Sequence, residues 1–210
     1  MRIRGRVTLV AALLLALLAL APRAWAGEPG TQLLARIDQV LKVLDDPRLK
    51  KPESAQERRQ AVRRVAIEIL DFEEISRRSL GRHWDARTAR ERQEFMQLFG
   101  DLLERAYIAR LETYSGEQIA LVGDESVGNR AIVKTKVITR RGAEIPVEYR
   151  MHLRDGKWLV YDVVIEGVSL IANYRAQFNK IITTSSYEEL VKKMKTKQEE
   201  FLQDGPPKRT

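Results

Sequence analysis

The stretch from Trp158 to Leu190 constrains the fold more than any other part of the sequence. It begins as an apolar, β-branched strand that runs to Ile165 and is interrupted by Glu166 and Gly167. From Ser169 onward the apolar residues follow helical spacing. A strand that leads directly into an amphipathic helix folds that helix back over the sheet. We therefore expect an apolar region between the two.

The part of the chain before Tyr114 has the hydrophobic spacing of helices. Apolar residues recur there at intervals of three and four, and two capping boxes mark helix starts at Ser54–Glu57 and Thr88–Glu91. The spacing predicts helices over 31–46, from 54 to about 70, over 72–84 and from 88 to 114. A last helix is predicted from Ser186.

The part after Gly116 alternates between apolar and polar residues, as strands do. Strands are predicted over 118–122, 130–139, 147–153 and 158–165, joined by turns at 123–129, 140–143 and 155–156. In the third strand, Val147, Tyr149, Met151 and Leu153 share one face. The sequence therefore predicts an α+β fold, with helices packed on a curved four-stranded antiparallel sheet that has one dry and one wet face.

The N-terminal segment is typical of an export signal. A basic region with Arg2, Arg4 and Arg6 precedes an apolar run of about 15 residues, shorter than the ~20 that span a membrane. Small residues at Ala24 and Ala26 then fit a cleavage site. We expect a signal peptide over 1–26, removed after Ala26, and export of the rest of the chain.

The rest of the chain is predicted to form one domain over 27–203, followed by a flexible tail over 204–210. The sequence contains no cysteine, so an exported domain of this kind would depend on its core alone.

The positive charge of the chain does not indicate nucleic-acid binding. Four arginines and no acid lie in the predicted signal peptide, so its removal lowers the net charge from +8 to +4. The remaining basic residues are scattered among acids and form no aromatic-lined basic face. A cationic exterior is better suited to a surface of anionic lipid.

Few residues are candidates for catalysis. His83 and His152 lie outside any recognisable metal or triad motif, which favours structural roles. Asp162 is a carboxylate inside an apolar strand, where burial could make it an acid or base. The simpler interpretation, which we favour, is a structural carboxylate bonded to a backbone amide or an arginine.

Apolar faces are more extensive than one sheet face usually needs, on the long helix, the sheet and the helix after Ser169. Hydrophobic periodicity does not decide whether these faces form an ordinary packed core or enclose a cavity.

Several stretches resemble the MlaC family of periplasmic phospholipid-binding proteins, also called the toluene-tolerance or Ttg2D family. The most specific is RDGKWLVYDVVIEGVSLIANYRAQFNKII (154–182), and the resemblance extends to TYSGEQI (113–119), SSYEELVKKMK (185–195), RRSLGRHW (77–84) and ERQEFMQLFGDLLERAY (91–107). Together these cover most of the chain from about residue 30 to 200.

The resemblance implies a carrier and not an enzyme. Its cargo would be a glycerophospholipid, with no cofactor, and it would maintain the lipid asymmetry of the outer membrane. Its partners would be an outer-membrane lipoprotein complex and the periplasmic subunit of an inner-membrane ABC transporter. The pocket would lie between sheet and helices and be lined by Leu103, Tyr107, Leu111, Val147, Tyr149, Met151, Val163, Ile165, Val168, Ile171 and Phe178.

Three alternatives remain open from the sequence. The cargo could be another lipid, such as a hopanoid. The chain could be an enzyme in which Asp162 and either Tyr107 or Tyr149 act as acid and base. It could also be a scaffold with a filled core that bridges envelope complexes.

Overall fold

A computed structural model describes residues 29–108, 114 and 116–204. In these residues six α-helices surround a five-stranded sheet. The helices are α1 (Pro29–Asp45), α2 (Ala55–Ile69), α3 (Phe72–Leu80), α4 (Ala89–Leu103), α5 (Leu170–Thr184) and α6 (Tyr187–Asp204). The strands are β1 (Gln118–Val127), β2 (Arg130–Ile138), β3 (Glu144–Arg154), β4 (Lys157–Ile165) and β5 (Val168–Ser169).

The predicted α+β class with an antiparallel sheet is confirmed. The strands are hydrogen-bonded in sequence order and all neighbours are antiparallel. A two-residue fifth strand, β5, extends the four that the alternation predicts. It is too short to show alternation. The predicted signal peptide and residues 205–210 of the predicted tail lie outside the described residues.

Strand β1 is longer than predicted. We expected a turn from Gly123, but β1 continues to Val127 and pairs with β2 along its length. A bulge between Leu121 and Gly123 absorbs one extra residue, so the glycine interrupts the alternation without ending the strand.

The two predicted capping boxes differ in outcome. Thr88 and Glu91 form the reciprocal bonds at the start of α4, as predicted. The prediction for Ser54 is wrong, because its side chain makes no capping bond. Ser54 is the last residue of a 3₁₀ turn (Pro52–Ser54) and lacks the extended backbone of a typical N-cap.

The long predicted helix also changes form before its expected end. The α-helical part of α4 stops at Leu103, and a π-helical turn follows over Glu104–Ile108. This turn contacts α2, where Arg63 pairs with Glu104 at 2.8 Å. Residues 109–113 lie outside the described part of the chain.

Two separate apolar clusters form the interior. The sheet core joins α1 to the strands through Leu33, Ala131, Val133, Met151, Trp158 and Val160. The helical core joins the four helices α3 to α6, and its buried members include Phe95, Phe99, Phe178, Leu190 and Met194. Leu70, between α2 and α3, packs against both cores.

The chain passes around the free edge of β4 at Leu70 and Asp71. Leu70 forms a single bridge to Val160, and the Asp71 amide donates to the Val160 carbonyl at 3.0 Å. This crossing leaves α2 on the sheet-core side and brings the Asp71 side chain to His152 on the other side. We call the sheet-core side the inner face and the His152 side the outer face.

The prediction of a solvent-exposed outer face is wrong near β3 and β4. His152 and Arg150 are only partly exposed there, and Tyr161 and Asp162 are buried. Helix α3 covers this region, with the Arg78 guanidinium stacked 4.0 Å from the centre of the Tyr161 ring. None of the helices in the described part of the chain has the length and apolarity required to cross a bilayer.

Candidate functional site

The inner face carries a continuous apolar strip near the end of the sheet where β4 turns into β5. Strand register pairs Val147 with Ile165 and Ile165 with Val168, and it pairs Tyr149 with Val163. Because directly paired residues of an antiparallel sheet share a face, these five predicted pocket residues lie side by side. We call Val147, Tyr149, Val163, Ile165 and Val168 the inner strip.

Exposure within the strip is greatest at Val168, next to the β4–β5 turn. Beyond the strip, Met151 is 0% exposed and lies in the sheet core with Leu33 of α1. Within the strip, Val147 is buried, Tyr149, Val163 and Ile165 are half-buried, and Val168 is 58% exposed. The strip is therefore closed at the α1 end and open at the sheet edge.

Strand alternation keeps charge away from the inner strip. Glu148, Arg150 and Asp162 are neighbours in sequence, but their side chains belong to the outer face. Burial raises the pKa of Tyr149, and the hydrogen bond with Thr135 opposes that rise only in part. The phenol is thus neutral across the physiological range, and the strip presents no charged group to a ligand.

The other predicted pocket residues lie elsewhere. Ile171 and Phe178 are buried in the helical core, where Phe178 makes edge-on contacts with Phe95 and Phe99 at ring-centre distances of 5.7 and 5.2 Å. Leu103 packs against the same core. Tyr107 is half-buried in the π-helical turn, and Leu111 lies outside the described residues.

Of the eleven predicted positions, five therefore form the inner strip and three belong to the helical core, while Met151 lies in the sheet core and Tyr107 in the π-helical turn. Leu70 packs against both the sheet core and the helical core. Sequence reasoning did not include Thr135, which is 2% exposed and pairs directly with Val147. Its position in β2, in alternation with Val133 and Val137, was the signal for its inner-face placement.

Asp162 has the structural role that the sequence favoured. The carboxylate is 5% exposed and accepts hydrogen bonds from the Ser169 hydroxyl at 2.7 Å, the Ile171 amide at 3.2 Å and Arg150 at 3.2 Å. It lies on the face opposite Tyr149. The acid–base pair of Asp162 with Tyr149 is therefore not formed.

Both histidines have structural partners. His83 Nε2 lies 3.0 Å from the Asn179 side-chain oxygen, and His152 Nε2 lies 2.9 Å from Asp71 Oδ2. In the part of the chain that the structure describes, no three metal-ligating side chains come together.

A concave site separate from the inner strip lies between the start of α4 and α6. It encloses about 520 Å³ and is lined by charged residues, among them Glu91, Glu94, Glu188, Lys192 and Lys195. Glu94 and Lys195 pair across it at 2.6 Å. Because charged groups lose hydration when covered by hydrocarbon, this site does not suit an acyl chain.

The fold and site define an α+β protein with an uncharged apolar sheet face that opens at one edge. A solved structure with the same fold, a phospholipid-binding protein from Ralstonia solanacearum in complex with a phospholipid, matches with a TM-score of 0.76. The match covers 84% of this chain and 99% of that protein at 23% identity.

Curated relatives match over shorter regions. The intermembrane phospholipid transport system binding protein MlaC of Haemophilus influenzae is 26% identical over 141 residues, 65% of this chain and 66% of that protein. The toluene tolerance protein ttg2D of Pseudomonas putida is 28% identical over 120 residues, 56% of each chain. The matched regions thus span somewhat less than two thirds of either relative.

The family model described as MlaC protein matches residues 35–196. The chain belongs to the MlaC family.

Proposed function

We propose that this protein is a periplasmic phospholipid carrier and that the inner strip holds the acyl chains of its cargo. The observation that carries the proposal is the strip itself: five adjacent apolar or neutral side chains, open at the sheet edge. The similarity to proteins named for phospholipid binding and transport supports the same cargo.

A carrier is required because a phospholipid does not cross water readily. Two chains of about 16 carbons contain about 30 methylenes, and each costs about 0.8 kcal/mol to expose, so a free lipid would face a cost of about 25 kcal/mol. A protein that covers this hydrocarbon removes most of that cost. It must then release the lipid at a docked acceptor, since release into water would restore the full cost.

The pocket extends from the strip toward the helices in this proposal. The acyl chains contact the inner strip together with Leu103 of α4, Tyr107 of the π-helical turn, Leu111, and Ile171 and Phe178 of α5. Met151 forms the closed end. Val168 contacts the acyl chains at the open edge, and the head group stays in the water beyond it, because a charged phosphate retains its hydration there.

Membership of the family supports a proposed transport route. The chain, exported by the segment 1–26, collects or delivers glycerophospholipid at an outer-membrane lipoprotein complex. On the other side it meets the periplasmic subunit of an inner-membrane ABC transporter, and the exchange maintains the lipid asymmetry of the outer membrane. The transporter supplies the energy, and the carrier supplies only the covered route between membranes.

A transfer assay tests the carrier function. Donor vesicles that contain a fluorescent phospholipid are separated from unlabelled acceptor vesicles by a protein-permeable membrane, and the mature protein is added. We expect lipid to appear in the acceptor at a rate proportional to protein concentration. A rate equal to that without protein would exclude the carrier function, and a faster rate for a labelled hopanoid than for any phospholipid would change the cargo.

A further inference from the structure

A buried carboxylate holds the open edge of the inner strip together. Asp162 lies on the outer face of β4, directly behind the edge where Val168 pairs with Ile165. Its Oδ2 accepts from the Ser169 hydroxyl at 2.7 Å and from Arg150 at 3.2 Å, and its Oδ1 accepts from the Ile171 amide at 3.2 Å. One side chain thus connects β3, β4, β5 and α5.

Apart from Asp162, the contacts that fix β5 to the sheet are few, and they include the Glu166 amide of the preceding turn, which donates to the Pro146 carbonyl at 3.1 Å. The strand has two residues, and its register joins it to β4 only at Val164 and Ile165. The turn before it places Glu166 at a φ of 50°, a conformation that costs a residue with a side chain some energy. Gly167, at a φ of 80°, adopts its conformation freely. A short strand after a strained turn separates from a sheet easily unless a further contact retains it.

Asp162 supplies that contact through charge. The Ser169 hydroxyl that bonds Asp162 also accepts from the Ala172 amide at 3.0 Å, so Ser169 and Asp162 together cap the first turn of α5. A negative charge near the start of a helix is stabilised by the helix dipole. The same carboxylate pairs with Arg150, whose side chain is partly exposed, and a hydrogen bond between two charged groups is stronger than one between neutral groups.

We propose that Asp162 is a positioning residue that controls how often β5 and the start of α5 separate from β4, and thereby how fast lipid enters and leaves. The inference rests on the proposed carrier function. Opening moves Val168 away from Ile165 and exposes the end of the inner strip. Weaker bonds at Asp162 increase the fraction of molecules in which β5 is separated from β4. Lipid exchange then becomes faster in proportion to that fraction.

Asp162→Asn tests this inference, because it keeps the shape of the side chain and removes its charge. The amide can still accept from Ile171, but its NH2 group faces two donors, the Ser169 hydroxyl and Arg150. We expect lipid release from the loaded protein to vesicles of phosphatidylethanolamine and phosphatidylglycerol to become about fivefold faster. The amount of lipid bound at equilibrium should stay the same, since no lining residue changes.

Asp71→Asn is the matched control. Asp71 is also 5% exposed, caps α3 through the Glu74 amide at 2.9 Å and pairs with Arg154 at 3.1 Å, but it holds α3 and not β5. We expect this variant to lower thermal stability about as much as Asp162→Asn and to leave the release rate unchanged. Equal acceleration in both variants would mean that general destabilisation, and not the β5 edge, determines release.

Ser169 variants give a second measure that does not depend on Asp162→Asn folding well. Ser169→Ala should accelerate release less than Asp162→Asn, and Ser169→Thr, which retains the hydroxyl, should restore the original rate. An unchanged release rate in Asp162→Asn and Ser169→Ala, with transfer by the unaltered protein intact, would overturn this inference alone. Failure of the unaltered protein to bind or transfer lipid would instead overturn the carrier function.

Discussion

At the scale of residues, alternation along β3 and β4 separates apolar from charged side chains more sharply than composition suggests. Tyr149 and Val163 are paired on the inner face, whereas their chain neighbours Arg150 and Asp162 are paired on the outer face. A shift of one residue in β3 would place Arg150 in the strip, and the same shift in β4 would place Asp162 there. The strand register is therefore a functional property of this molecule as well as a structural one.

Val168 gives a direct test of the strip. At 58% exposure, Val168→Glu leaves the carboxylate in water in the empty protein, so we expect a change in unfolding free energy of less than about 0.5 kcal/mol. Among acyl chains the same carboxylate would lose its hydration, so the bound lipid per protein should fall severalfold. Mass spectrometry of extracted lipid and thermal unfolding measure the two quantities.

Val127→Glu is the control for that variant. Val127 is an exposed valine, 85% accessible, at the other end of the sheet. The Val127→Glu variant should retain the full lipid load. A full load in Val168→Glu as well would show that the strip does not extend to the sheet edge.

Truncation of Met151 and truncation of Val163 should have different effects on stability and on lipid binding. Met151→Ala removes a fully buried side chain from the sheet core, and we expect a loss of about 2–5 kcal/mol of unfolding free energy. Val163→Ala removes a half-buried side chain, so its cost should be about 1 kcal/mol, with a clear loss of bound lipid. Denaturant unfolding measures the change in stability, and lipid quantification measures the change in bound lipid. A larger loss of unfolding free energy in Val163→Ala than in Met151→Ala would contradict the placement of Met151 in the core and Val163 in the strip.

At the scale of elements, the link between α2 and α3 decides which helices face which side of the sheet. The crossing at Leu70 and Asp71 occupies the part of the β4 edge that β5 leaves free. Asp71 then holds α3 to the outer face through His152 and Arg154. Because this link covers an unpaired strand edge, it also protects the sheet from association with other strands.

The Asp71 contacts predict a pH dependence of stability. Burial opposes ionisation of Asp71, but the bonds from the Glu74 amide, Arg154 and His152 outweigh it and hold the pKa below its usual value. The carboxylate therefore stabilises the fold fully above the unfolded-state pKa of about 3.9, and this contribution is lost as pH falls further toward the folded-state pKa.

We expect Asp71→Asn to cost about 2 kcal/mol near neutral pH, because Arg154 and the Glu74 amide lose a charged partner. Thermal unfolding of both proteins from pH 7 down to about pH 3 would show the difference shrink below about pH 4. A difference that stays constant over this range would mean that Asp71 is not ionised in the folded protein.

Elements with strong periodicity could be predicted from the sequence, and elements fixed by tertiary contacts could not. The apolar repeats of α1 and α4 and the alternation of β3 gave the class and most boundaries. Strand β5 has only two residues, so no periodic signal exists for it. The outer face appears polar in sequence because Arg150, His152 and Arg154 alternate there. These side chains nevertheless pair with two buried acids, Asp162 of β4 and Asp71 of the link between α2 and α3.

At the scale of the whole molecule, the interior divides into two apolar cores that meet only in part. The sheet core and the helical core are separate clusters, and Leu70 packs against both. The sequence indicated an excess of apolar faces but could not show that they divide into two clusters, since periodicity records which side of an element is apolar and not what it contacts. Phe178 was therefore predicted as lining although its ring lies among Phe95, Phe99 and Tyr174.

The central claim is that this molecule holds a phospholipid. The most direct measurement is native mass spectrometry, with lipid extraction, of the protein purified without detergent. We predict a complex whose added mass equals that of a glycerophospholipid and which becomes the free protein after extraction. A protein that carries no lipid as purified, and that takes up none from phospholipid vesicles, would contradict the account.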